Sequence, residues 1–406
     1  MTPAAPAPPF DPPGLDPRLT ALLAQYPAAL FSERLHHSIE LMERYSIDWS
    51  IALLRRLGVM ERLADWRGAA DLCRSMTFAP RFETALAWLL ERLLETGGIT
   101  VRERDGVRQY RLENALWEPA LAELRAAGIA IDPANRATLN LLDHAAAIYP
   151  AVAHGETTGE QALFGMHGIP LWLEYFHDDN TTYAINNWLG ALAAADCVST
   201  LPAIRILEFG AGAGSASQTL LRTLSERGLA SRIERYVITE PNAFFRRRSQ
   251  RSLSTQYAEL PLEFRALDID KPWDKQGVAP GGFHLIYGIN ALHVANDLVF
   301  SLRQARASLT ADGWLVAGEC LRLFARQPIY AELMFQLLEG FSEVNTDPQF
   351  RPNGGFLTPS QWRSAFKRAG FGNVEVRPDV ERIREIYPHF FTGAVCGGNC
   401  FHHAST

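Results

Sequence analysis

The fold class this sequence predicts is a doubly wound parallel α/β sheet over residues 201–406, preceded by a mainly helical region with a winged-helix-like unit. Three observations predict it. Residues 204–224 read as a short buried strand, a glycine turn and a helix. Beyond them, β-branched and apolar segments return at regular intervals with helical stretches between, the rhythm of strands joined by crossover helices. Ahead of them, two helical stretches lead into two alternating segments joined by Asp105-Gly106, the pattern of a helix, a helix and a two-stranded wing.

The turn itself, RILEFGAGAGSASQT from Arg205 to Thr219, carries the first chemistry. Glycines at 210, 212 and 214 remove side chains that would stand between the backbone and a bound molecule. A dinucleotide site wants an acid about 20 residues after such glycines. Here Glu208 stands just ahead of them, where it would repel a pyrophosphate but can accept a hydrogen bond from the ammonium of S-adenosylmethionine.

In chain order, residues 1–18 hold seven prolines in the first seventeen positions, with neither a basic start nor an apolar core, and read as a flexible extension rather than a signal peptide. Residues 19–153 form the helical domain: two or three helices between Leu19 and Trp66, two more over Asp71–Met76 and Arg81–Leu94, the wing ITVRER/VRQYRLE, and further helix over Leu116–Ala153. The second wing helix, FETALAWLLERLL, spends its face on Leu, Ala and Trp, whereas base and phosphate reading wants Arg, Lys, Asn and Gln. The unit therefore reads as a packing or homodimer element and not as a nucleic-acid binder. Residues 154–200 form a helical lid or linker, in which a stop at Gly168–Pro170 separates two aromatic-rich helices.

After the glycine turn, RYVITEPN is a strand whose end carries Glu240, placed to hold ribose hydroxyls. EFRALDID ends a third strand at Asp268 and Ile269, an acid to bond an adenine amino group beside an apolar residue to pack on its ring. FHLIYGIN and GWLVAGEC are the fourth and fifth strands. A helix over Tyr330–Phe341 lies in an insertion at about 325–345. A helix capped by Thr358 or Ser360, a Gly370 stop and two further strands, NVEVR and GAVCG, complete the sheet. Ligands belong at the carboxyl ends of such strands.

Composition sets the bounds. A hydrophobic content of 47% with 21% charged residues is that of a globular protein, and the net charge of −6 argues against sequence-independent nucleic-acid binding. The one basic run, Arg246–Arg251, reads as a solvated helix face. Five irregularly spaced cysteines are no disulfide framework, and a reducing cytoplasm fits them. Cys396, Cys400, His402 and His403 match no common zinc spacing and read as a polar tail, so no metal site is expected. No apolar run approaches the ~20 residues of a membrane span.

These residues resemble class I S-adenosylmethionine-dependent methyltransferases, with their Rossmann-like sheet, and more narrowly the C-methyltransferase domains of fungal and bacterial polyketide synthases. The resemblance covers roughly Gly155 to Val376 and rests on ILEFGAGAGS, YVITEPNAFF, the LDID acid, GINALHVANDL, and LLEGF followed by LTPSQWRSAFKRAGF. It implies a cofactor site from Glu208, Gly210, Ala211, Gly212, Gly214, Glu240, Asp268, Ile269 and Asn290, and S-adenosylmethionine as the cofactor. It also implies His293 and Glu319 as a catalytic pair, with Tyr183 and Asn187 of the lid at the substrate end. Glu240 stands where aspartate is commoner in that family, and Phe341 where tryptophan is. The implied reaction is methyl transfer to the α-carbon of a β-ketoacyl thioester or related small molecule, the acyl group free or on a carrier protein. With no ketosynthase, reductase or carrier motif in the chain, the enzyme is expected to act in trans. An O-methyltransferase for a phenol, enol or carboxylate, and a methyltransferase fold kept for binding or pericyclic chemistry, stay open as alternatives.

Overall fold

The computed structural model describes residues 17–399. Most of the proline-rich extension, and Cys400, His402 and His403 of the C-terminal cluster, lie outside the described residues. The end of the extension, Pro17–Leu19, is a 3-10 turn with Leu19 buried. The helical half begins with α1 (Thr20–Leu23), α2 (Glu33–Arg56), α3 (Ala69–Ser75) and α4 (Glu83–Leu93). Ser32 caps the 24-residue α2, its Oγ accepting from Leu35 N at 3.2 Å. The wing follows as β1 (Ile99–Arg104) and β2 (Val107–Leu112), antiparallel with Arg104 opposite Val107. Asp105 (φ 53°) and Gly106 (φ 74°) make the turn between them, both left-handed as a two-residue hairpin requires. Leu86, Trp88, Leu89, Leu90 and Leu93 bury most of α4, so the second wing helix is consumed in packing.

Helices α5 (Leu121–Ile131), α6 (Asn135–Ala153), α7 (Gly159–Leu163), α8 (Gly168–Tyr175) and α9 (Thr181–Val198) complete this half. The expected stop at Gly168–Pro170 is instead the start of α8. Pro170 sits in its first turn, where a missing N–H costs no intrahelical bond, and the break falls at Phe164–His167. Helix α9 does two things. Its first turns carry Tyr183 to a cavity described below, and its remainder lies on the sheet. Gly190 is the point of closest approach, where a Cβ would stand 2.3 Å from Ile289 Cδ1.

The second half runs β3 (Ile204–Glu208), α10 (Ser215–Glu226), β4 (Ile233–Thr239), α11 (Ala243–Gln256), β5 (Leu262–Arg265), β6 (Phe283–Ile289), α12 (Leu298–Ser308) and β7 (Leu309–Cys320). Then come α13 (Glu332–Phe335), α14 (Glu339–Ser342), α15 (Pro359–Ala369), β8 (Asn373–Arg377), α16 (Val380–Arg384) and β9 (Thr392–Gly398). The seven strands lie in the order β5-β4-β3-β6-β7-β9-β8. Five run parallel from β5 to β7, and β9 pairs antiparallel with both β7 and β8. The chain leaves β3 toward β4 on one side and returns to β6 on the other, so the crevice of a doubly wound sheet opens beyond the ends of β3 and β6.

Three local expectations are corrected. The third strand of this half ends at Arg265, so Asp268 and Ile269 stand in the loop beyond it. Its sequence turns polar and non-alternating after Leu267. The helix expected over 330–341 is broken into α13 and α14 by an extended Leu338 (φ −95°, ψ 124°), which brings Phe335 and Phe341 to stack at 5.5 Å. Cys396 is buried in β9 and not in a polar tail. Thr358 caps α15 in a capping box with Gln361, as its sequence allows.

Two buried ion pairs, one in each half, carry hydrogen bonds that join the halves. Arg92 of α4 pairs with Glu43 of α2 and donates to Pro328 O at 3.1 Å. Glu332 of α13 pairs with Arg322 and accepts from Trp88 Nε1 at 3.0 Å. Removing one partner of such a pair strands a buried charge at a cost of about 3–5 kcal/mol, so the 322–332 segment is fixed to the helical half.

Candidate active site

The glycine turn stands at the end of β3. Gly210 (φ 64°) packs against Ala291, and Gly214 (φ 95°) lets α10 start against Ser249 of α11. Ala211 N donates to Thr239 O at 3.0 Å, tying the turn to β4. Gly212 (φ 53°) is different: a Cβ there would meet nothing within 4 Å, so open space lies in front of its backbone. Its N–H donates to Glu240 Oε2 at 2.9 Å, and Asn242 N donates to Glu240 Oε1 at 2.8 Å. Each Glu240 oxygen thus holds one backbone N–H and keeps a lone pair for a diol. Asp268 is less available, paired with Lys271 at 2.8 Å, while Ile269 is partly buried against the core. Asn290, left-handed at φ 49°, donates its N–H to Gly318 O at 2.7 Å and accepts from Asn186 Nδ2 at 2.7 Å.

Glu208 turns inward. Its Oε2 accepts from Tyr236 Oη at 2.5 Å and Ser217 Oγ at 2.7 Å, and its buried Oε1 has no protein partner. The carboxylate that the sequence assigned to an ammonium is therefore engaged by protein hydroxyls on one oxygen. Burial pushes it from its ordinary 4.5 up to about 7, against the lowering effect of those two bonds. A folded-state value above the unfolded one means that the native state holds the extra proton. The stability from this group is complete below about pH 4.5 and is lost as pH rises through about 7. Glu208→Gln, neutral throughout, is expected to gain on the wild type by about 3 kcal/mol between pH 4.5 and pH 8 in denaturant unfolding. A constant difference across that range would mean that the carboxyl titrates normally.

On the other side of the crevice, His293 follows β6 and Glu319 is the penultimate residue of β7. His293 Nδ1 and Glu319 Oε2 are 2.7 Å apart, and Glu319 Oε1 accepts from Leu292 N at 2.9 Å. Glu319 is fully buried and His293 is 4% exposed. The imidazole packs on Phe356 (4.7 Å between ring centroids) and Phe341 (5.6 Å). Sequence reasoning missed Arg351. Wholly buried, it donates from Nη2 to His293 O and from Nη1 to Ala295 O, each at 2.5 Å, and so pins the backbone that carries the imidazole. Burial lowers its guanidinium to about 10, still a cation at neutral pH. Its only sequence signal was an arginine inside the apolar and turn residues of FRPNGGF.

His293 opens onto a largely apolar cavity of about 440 Å³, walled by Phe164, Phe176, Phe335, Phe341 and Phe356, with Tyr183, Asn290 and Cys320 at its polar end. Tyr183 Oη lies 3.5 Å from Ser215 Oγ, at the start of α10. Asn187 does not line this cavity: its Nδ2 donates to Asp178 Oδ1 at 3.0 Å and to Ser215 Oγ at 3.2 Å. Tyr183 and Asn187 therefore converge on Ser215, between the glycine turn and the cavity.

No family model matches the chain. In sequence it is 28% identical over 349 residues to the highly reducing polyketide synthase ALT1 of Alternaria alternata, a match that covers 85% of this chain and 12% of that protein. The chain thus spans about an eighth of that relative's length. Among solved structures it superposes on the CurJ carbon methyltransferase with a TM-score of 0.78 and 23% identity, covering 95% of this chain and 96% of the other. It superposes on the trans-methyltransferase CalH in complex with SAH with a TM-score of 0.60 and 20% identity, covering 89% and 91%. The chain has the fold of the carbon methyltransferases and is similar in sequence to part of a polyketide synthase.

Proposed function

We propose that the chain is an S-adenosylmethionine-dependent methyltransferase that alkylates the α-carbon of a β-ketoacyl thioester. The observation that carries the reading is the 2.7 Å contact between His293 Nδ1 and a fully buried Glu319 at the wall of an apolar cavity. Glu319 holds Nδ1–H, which leaves Nε2 with the free lone pair and stabilises the imidazolium that forms when Nε2 takes the α-proton. The proton between a ketone and a thioester is acidic enough for such a base. The phenylalanine walls keep water from the enolate carbon, and Arg351 keeps the base in place.

The residues of the crevice fit the cofactor. The open space before Gly212 is the cradle that a side chain would fill. Glu240 offers two oriented oxygens to the ribose, Ile269 an apolar surface to the adenine, and Glu208 Oε1 an unused acceptor to the ammonium. Tyr183, Asn187 and Ser215 sit where the cofactor side meets the cavity. When bound, S-adenosylmethionine supplies an electrophilic methyl group. The substrate is a small acyl thioester, free or on a carrier protein.

Incubation with S-adenosylmethionine and a β-ketoacyl thioester dideuterated at the α-carbon tests the reading by mass spectrometry, before uncatalysed exchange sets in. Methylation at carbon yields product with a new methyl group and one deuterium fewer. Methylation at the enol oxygen would release one deuterium as well, so fragmentation locates the new methyl group: on the α-carbon it supports the reading, and as a methoxy group it passes the assignment to an O-methyltransferase.

A further inference from the structure

The basic run Arg246–Arg251 lies in α11, and Arg247, Arg248 and Arg251 are exposed, as a solvated helix face requires. Arg247, Arg248 and Arg251 line a groove of about 460 Å³ between the helical half and the glycine-turn side, opposite Leu173, Phe176 and His177 and beside Ala213 and Ser215. A second groove of about 520 Å³ shares Leu173, His177 and Arg248 and adds Arg136, but Glu174 and Asp179 line it too, so the excess of positive charge is confined to the first groove. All four arginines are exposed, and among the described residues no side-chain hydrogen bond or ion pair takes up any of their guanidinium groups. Most other arginines near the crevice are spent: Arg246 on Glu240 O, Arg222 on Asp178, Arg351 on His293 O.

An unpaired arginine cluster on a chain of net charge −6 runs against the overall sign. S-adenosylmethionine does not explain it, because that molecule is a net cation. An anion does, and guanidinium groups match phosphate oxygens in geometry. The groove also adjoins the reaction compartment, since Phe176 lines both it and the His293 cavity. A substrate with a phosphate at one end and an apolar acyl thioester at the other would place each end in a compartment of its own chemistry.

We propose that this groove binds the phosphate of a phosphopantetheine arm through Arg247, Arg248 and Arg251, with the thioester end passing Phe176 into the His293 cavity. The inference rests on the methyl-transfer reading above. It assigns recognition of the substrate to the phosphate of the arm, whether that arm is attached to a carrier protein or belongs to coenzyme A.

Titration calorimetry with 4′-phosphopantetheine and with pantetheine is the test. The wild type is expected to bind the phosphorylated compound about tenfold more tightly at low salt, what three exposed charge contacts supply together. The triple variant Arg247→Gln, Arg248→Gln, Arg251→Gln should lose that preference, and added salt should erase it in the wild type. Equal affinity of the wild type for the two compounds, or a preference that survives the triple substitution, overturns the proposal. The source of the arm is read from KM. A rise in the triple variant for the carrier-bound acyl group alone assigns the arm to a carrier, and a rise for acyl-coenzyme A as well assigns it to the shared phosphate; both support the site. The two readings fail separately. Methylation of a phosphate-free pantetheine thioester without any phosphate preference removes the groove and keeps the methyl-transfer reading. A phosphate preference with no thioester methylated does the reverse.

Discussion

His293→Ala is expected to lower turnover by about 10²-fold or more, the usual reach of a general base, while affinity for S-adenosylmethionine stays close to wild type. Loss of the imidazole removes the one titratable side chain, among the described residues, that both lines the apolar cavity and is held by a buried carboxylate. Glu319→Gln should come near the same loss by another route. The carboxylate carries the charge that stabilises the imidazolium, and its two oxygens hold both His293 Nδ1 and Leu292 N. An amide can accept only one of those bonds and presents a donor to the other. Because the two side chains act as one unit, the double variant should cost little more than either single one. The Arg351 bonds to the carbonyls of His293 and Ala295 do not depend on the imidazole, so the loop should keep its course in the alanine variant. Single-turnover rates measured with saturating cofactor separate chemistry from binding. A His293→Ala enzyme within a few-fold of wild type would remove the dyad from the mechanism.

Legibility in the sequence followed the range of the interaction. The order of strands and helices after Ile204 could be read because each strand is a short β-branched run between turn residues, and the wing because Asp105-Gly106 specifies a two-residue hairpin. Glu240 could be placed because it is covalently attached to the end of its strand. Features decided by distant partners could not. The turn of Glu332 onto Arg322 and Trp88 depends on a partner 244 residues away. Arg351 depends on backbone carbonyls 58 and 56 residues back, which no side-chain pattern advertises. The inward turn of Glu208 depends on Tyr236 of the neighbouring strand. The distribution of Tyr183 and Asn187 depends on how helix α9 is rotated over Ser215, a matter of packing and not of spacing.

Gly212→Val is expected to weaken binding of S-adenosylmethionine by about 10²-fold or more. The site has a left-handed φ of 53°, and the space before its Cα is open to 4 Å, so a valine would enter the volume assigned to the cofactor. Overpacking of a tight site costs about 1–3 kcal/mol, and any rotation that relieves the strain also breaks the Gly212 N–H bond to Glu240 Oε2. Together these lower affinity by about 10²-fold or more. A β-branched residue in left-handed backbone is strained wherever it stands, so stability alone would not identify a ligand site. Gly281 supplies the control. It is also left-handed, at φ 64°, and a Cβ there also meets nothing within 4 Å, but it lies in the loop before β6. Gly281→Val should therefore destabilise the protein by a comparable amount, about 1–3 kcal/mol, and leave cofactor affinity unchanged. Calorimetric titration of both variants at a temperature where each is folded gives the comparison. Unchanged affinity in Gly212→Val, or equal losses in the two variants, would take the cofactor away from the glycine turn.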